Sequence, residues 1–159
     1  AEIVGYFYDY PYLFTHKLRD ELIQSVLNLT EGHYEVEMHD LLCYIRLAET
    51  ANLPDDIRQR LVTFLAPIVQ TVPNDSAQWG KYGLTPLTVV STPKSLFYAE
   101  FADVIPQNLA YIFAQQADEG YWSPSWSWAF AHADGWHDAE HDLRGIFTLN
   151  NLLFERHFA

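Results

Sequence analysis

The chain has a single cysteine, Cys43, among its 159 residues, so no disulfide can close within it. A lone thiol in an apolar run packs as a small hydrophobe and suits a reducing compartment. Basic residues are also scarce. Nine Lys and Arg stand against 21 Asp and Glu, a formal charge of -12. That field repels a phosphate backbone and an anionic membrane surface, so neither nucleic acid nor such a membrane is an expected partner. No stretch approaches the roughly 20 apolar residues of a membrane span. The opening residues, AEIVGYFYDYPY, carry no basic segment and no small-residue cleavage site. A secretory signal is therefore unsupported, and a cytoplasmic location is the expectation. Runs of alternating strand character, a Gly-rich phosphate loop, a G-x-S-x-G elbow and a CxxC pair are all lacking. Asn28-Leu29-Thr30 fits a glycosylation acceptor formally, but without a secretory signal the match is accidental.

What the chain does have is helical periodicity and aromatic rings. The length suits one domain, residues 1–159. The aromatic share of 16% is high enough to thicken a core or to line an apolar cavity. An aromatic helix is expected over residues 2–10, ended by Pro11. Thr15 caps a second, over 16–29, with Leu18, Leu22, Val26 and Leu29 on one face. A third spans 34–51 and a fourth 55–71, the latter kinked or stopped early by Pro67. Residues 73–99 hold Pro73, Gly80, Gly83, Pro86 and Pro93 and read as a long irregular connection. Because it carries Trp79 and Tyr82, it is expected to pack rather than dangle. A fifth helix over 101–117 and a sixth over 135–157 complete three helical hairpins.

Between the last two helices runs YIFAQQADEGYW, then SPSWSWAF. Gln116, Gly120 and Trp122 resemble the repeat motif of the terpene cyclase and protein prenyltransferase superfamily, whose members are α/α toroids around an apolar cavity. In that motif the Gln caps a neighbouring helix end and stacks on the Trp. More broadly, the chain resembles a group of uncharacterised bacterial and fungal toroid proteins. The matching stretches are AEIVGYFYDYP, EMHDLLCYIRLAET, WGKYGLTPL, QQADEGYWSPSWSW and RGIFTLNNL, spread over nearly the full length. In those relatives the stretches form the C-terminal half of a longer chain. The chain, which starts without an initiator Met, is accordingly expected to be a fragment or a half-toroid. The catalytic motifs of the superfamily do not carry over. There is no DxDD-type acid, since Asp55-Asp56 reads as a helix start, and Asp40 and Cys43 have the wrong spacing for the prenyltransferase zinc pair.

Three constellations are candidates for chemistry. His137-x-x-Glu140-His141 is formally an HxxEH run, which could hold zinc but reads more simply as a solvated helix start. No metal site or cofactor is expected from it. Glu35, His39, Cys43 and Arg46 fall along one face of the expected third helix. A His between a carboxylate and a thiol suits acid–base chemistry or a soft metal, while the simpler reading has Glu35 and Arg46 satisfying neighbouring helix ends and His39 hydrogen-bonded in the core. Trp79, Tyr82, Trp122, Trp126, Trp128 and Trp136 either pack as core or wall a pocket, with Gln116 and Asp118 as polar punctuation.

The sequence thus predicts an all-α protein of helical hairpins forming part of an α/α toroid. The resemblance implies a cavity that binds or transforms an apolar, isoprenoid-like small molecule. Glu35, His39 and Asp118 are the candidate acid–base groups, and Trp79, Tyr82, Trp126 and Trp128 the candidate ligand contacts. The alternative is a structural or interaction module without catalysis. Its exposed faces would be covered in a homodimer or by a missing N-terminal half.

Overall fold

Prolines and caps set most of the helix boundaries. The structure, a computed structural model, describes residues 1–32 and 35–158. Among these residues all regular structure is helical: eight α-helices, two short 3-10 turns and no strand. None of the helices is long and apolar enough to cross a membrane. The chain divides into two compact units that meet at Val72 and Pro73.

In the first unit, α1 (Glu2–Asp9) stops just before Pro11, and Pro11–Leu13 makes a 3-10 turn. Helix α2 (His16–Glu31) starts at Thr15, whose hydroxyl oxygen accepts from the Leu18 N–H at 3.3 Å. Helix α3 is Met38–Ala48 and α4 is Asp55–Val69. The expected third helix was longer. Its start at residue 34 lies outside the described residues, and 35–37 are not helical. Helix α4 runs two residues past Pro67 before ending, because a proline near the C-terminus removes only one late hydrogen bond.

Apolar residues three and four apart then choose the buried faces. Helix α3 buries Leu41, Tyr44, Ile45, Leu47 and Ala48, and α4 buries Leu61, Leu65 and Val69. Helix α1 packs against both α2 and α3, and α2 and α3 both pack against α4. Fully burying one such leucine stabilises the fold by about 1.5–3 kcal/mol. Just past the end of α3 the chains come so close that a Cβ on Gly5 of α1 would lie 2.3 Å from the Thr50 hydroxyl oxygen. The turn between α3 and α4 is held by Arg58. Its guanidinium donates to the carbonyls of Ala48, Thr50 (2.9 Å) and Leu53 (3.1 Å), filling acceptors that a helix end leaves open.

Two tyrosines of this unit give it a pH dependence. Burial raises the pKa of Tyr8, against the pull of Arg19 and with further upward pushes from Asp20 and Asp56. Burial also raises Tyr44, helped by Asp40. The folded state therefore holds both phenolic protons more tightly than the unfolded chain. Their stabilisation is complete below the ordinary phenol value of about 10 and is lost as pH climbs through the folded values. The thermal midpoint is expected to fall above about pH 10 as tyrosinate absorbance appears, and Tyr44→Phe to lessen that fall. A midpoint that declines equally in Tyr44→Phe would contradict this.

The second unit contains α5 (Pro86–Val89), α6 (Tyr98–Phe101), α7 (Ile105–Phe113) and α8 (Ala133–Phe158). At the start of α5 the Thr85 N–H donates to the Thr88 hydroxyl oxygen at 2.9 Å, and that hydroxyl donates to the Thr85 carbonyl at 2.7 Å. The helix expected over 101–117 is, apart from Phe101, α7 alone, and it ends early, at Phe113. Residues 102–104 separate it from α6, and it starts at Ile105 because Pro106, lacking an N–H, belongs in a first helical turn. Asn108, fully buried on α7, accepts from the Leu87 N–H at 3.0 Å and ties α5 to α7. The end of α8 is fixed by His157, whose Nδ1 donates to the Ser91 carbonyl at 3.0 Å, and by Phe158 stacked on Tyr98.

Candidate functional site

The Gln116–Trp122 turn positions the aromatic residues that follow it. Gly120 has φ +91°, a left-handed conformation that glycine adopts without a Cβ penalty. The Ala117 N–H donates to the Tyr121 carbonyl at 2.9 Å, and the Gly120 N–H to the Ala117 carbonyl at 2.8 Å. The Gln116 amide donates to the Gly120 carbonyl at 2.9 Å and braces the turn from inside. Trp122 is buried, and its indole N–H reaches the Ile112 carbonyl in the last turn of α7 at 2.8 Å. Its ring stands edge-on to Phe113, with centroids 5.5 Å apart. Its backbone N–H donates to Thr148 on α8 at 3.2 Å. It is Trp122, rather than the Gln116 side chain, that bonds to the helix end here.

From that anchor the chain carries Trp126 and Trp128 outward. Trp126 is the hub of a four-ring cluster: Trp128 lies 5.1 Å away, Trp136 5.5 Å and Tyr82 5.9 Å, the last edge-on at 84°. Trp136 is buried at the base, on the first turns of α8. Tyr82 and Trp128 remain 54% and 55% exposed, so the cluster opens to solvent on the side they form. Ring pairs at these separations contribute about 0.5–1.5 kcal/mol each beyond area burial. Rings fixed in this way lose little freedom when a ligand settles on them.

The structure thus brings together Tyr82, Trp126 and Trp128 of the expected ligand contacts. Trp79 is placed elsewhere: it is buried, edge-on to Tyr111 at 5.5 Å, with its indole N–H on the Pro73 carbonyl at 2.8 Å. Of the expected acid–base groups, Glu35 is exposed in the coil before α3 and His39 is exposed on α3, both in the first unit. Asp118 is exposed in the turn of the second. Since Glu35 precedes the helix, it does not share the helical face of His39, Cys43 and Arg46. Cys43 is half-buried, and Arg46 pairs with Glu2 of α1 at 2.8 Å. Within the HxxEH run, Glu140 is bound to Arg144 at 2.9 Å, while the imidazole of His141 is exposed. Among the described residues no three His, Cys, Asp or Glu side chains are arranged to hold a metal ion.

Arg144 was not foreseen as part of a site. It lies over the Tyr121 ring at 4.6 Å and donates to Ser123 at 3.2 Å. Beside it a solvent-open groove of about 560 Å³ follows α8 past Gly145, Thr148, Leu149 and Leu152. Its signal in the sequence was the spacing of these residues three and four apart on α8. The chain matches no protein-family model, no curated protein and no solved structure.

Proposed function

We propose that this chain is a binding module that takes up an apolar, ring-bearing or isoprenoid small molecule on the aromatic cluster of its second unit. The supporting observation is the packing of Trp128, Trp136 and Tyr82 around Trp126, with Tyr82 and Trp128 left half in solvent. A pre-arranged set of rings offers an apolar ligand dispersion contact without first having to be ordered. The Gln116, Gly120 and Trp122 positions of the repeat motif support an α/α toroid as the wider architecture, with Trp122 here making the helix-end bond that the motif gives to its Gln. Binding is favoured over catalysis because Glu35, His39 and Asp118 are exposed. Acid–base sites draw their strength from excluding water.

The test is a tryptophan-fluorescence titration with farnesol, a neutral probe that the chain's negative charge does not repel. Saturable quenching is expected, with affinity at least about tenfold weaker in Trp126→Ala and in Trp128→Ala, a loss of about 1.4 kcal/mol, and unchanged in Trp79→Phe. Equal affinity in all of these would sink the proposal. A second reading, an interaction module completed by a partner chain and without catalysis, is favoured by one observation. Ile146, Leu149 and Leu152 on α8 are 56%, 59% and 47% exposed.

A further inference from the structure

We propose that the outward face of α8 pairs, antiparallel, with the same face of a second copy of this chain. The proposal rests on the second reading above, that another chain covers this helix, and adds the identity of that chain and its register.

Helix α8 is apolar on two opposite sides. At about 100° per residue, Trp136, Phe147, Asn151, Phe154 and Phe158 share one side. Trp136 and Asn151 there are buried and the three phenylalanines are half-buried. Opposite lie Gly145, Leu149 and Leu152, flanked by Ile146 and Leu153, and of these five only Leu153 is even half-buried. A helix lying on a surface keeps its outer side polar, so a second apolar stripe there is out of place in water. The outer stretch therefore calls for a cover.

Charge and shape indicate which cover fits. The outer stretch is bounded on its N-terminal side by Asp142 and on its C-terminal side by Arg156, both exposed. Two copies of α8 laid antiparallel and centred on Leu149 place Asp142 of each opposite Arg156 of the other. The same register sets Leu149 against Leu149, with Ile146 level with Leu152, and Gly145, which adds no bulk, level with Leu153 across the seam. A face that is acidic at one end and basic at the other matches itself only when reversed. That is the symmetry of an isologous dimer. Asp142, Gly145, Leu149, Leu152 and Arg156 also follow the three-four spacing of a coiled-coil seam. From Asp142 to Arg156 the seam is about 21 Å long. It is smaller than a standard interface, so the dimer is weak and depends on concentration.

The experiment is sedimentation velocity on the full chain from micromolar to near-millimolar concentration, with circular dichroism to verify that each variant folds. The altered positions are exposed, so the variants keep the native helix content. The wild type is expected to shift from monomer to dimer. Asp142→Arg, which sets like charges against each other, should weaken the dimer by about tenfold or more, or 1.4 kcal/mol. Asp142→Arg combined with Arg156→Asp should restore it, and Leu149→Glu should abolish it. A monomer at all concentrations would overturn the proposal and leave farnesol binding to be judged by its own titration. A dimer indifferent to Asp142→Arg and Leu149→Glu would overturn this face and register, while another chain would still complete the module.

Discussion

Arg58→Ala is expected to destabilise the protein by about 2–4 kcal/mol, because hydrogen bonds to a charged donor each contribute about 1.5–3 kcal/mol and this side chain makes three. The acceptors are the carbonyls of Ala48, Thr50 and Leu53, which close the turn between α3 and α4. Partial exposure of the side chain, 22%, lets water replace some of what is lost and holds the estimate below the simple sum. The nearest carboxylate, Asp55, is 3.9 Å away and fully in solvent, so the effect belongs to the carbonyls and not to an ion pair. Arg58→Lys should recover less than half, since one ammonium cannot span three carbonyls as a planar fork does. Urea unfolding followed by circular dichroism measures both. A loss under about 1 kcal/mol for Arg58→Ala would mean that the turn holds itself.

Trp122→Ala should cost more, about 3–5 kcal/mol, as expected for deleting a buried indole. Trp122→Phe isolates the polar part. It keeps a ring for the edge-on contact with Phe113 but removes the N–H that reaches the Ile112 carbonyl, for a loss of about 1–2 kcal/mol. Trp122 also fixes where the following segment leaves the turn, through its backbone bond to Thr148. Trp122→Phe should therefore weaken farnesol binding as well, although Trp122 is not one of the four cluster rings. Calorimetric unfolding together with the farnesol titration checks the two effects. Full stability in Trp122→Phe would show that the Ile112 bond contributes nothing.

The sequence was most legible where a single residue dictates geometry. Thr15 starts α2, Pro11 follows the end of α1, and Gly120 makes the left-handed turn, because each acts through its own backbone or cap. Pro106 had the same clarity and marks the restart at α7, a signal the apolar periodicity of 101–117 masked. Glu35 stands four residues before His39, a spacing that reads as one helical face, yet Glu37 supplies no side-chain cap and the helix begins only at Met38. Arg58 left no trace in spacing, since its partners are backbone carbonyls and any residue type provides those. Asn108 did leave one: a polar residue on the buried face of α7, which bonds to Leu87 21 positions away. The aromatic cluster was legible as composition. Which rings met was not, because Tyr82 reaches Trp126 across 44 residues of chain and Trp79 turns to Tyr111 instead.

The most direct test of the proposed binding site is a nitrogen–proton correlation spectrum of the five tryptophan indoles, recorded as farnesol is added. The cluster assigned here predicts that the Trp126 and Trp128 signals move and saturate together, with a smaller shift at Trp136, while Trp79 and Trp122 stay in place. Shifts confined to Trp79 and Trp122, or none at any of the five, would contradict it.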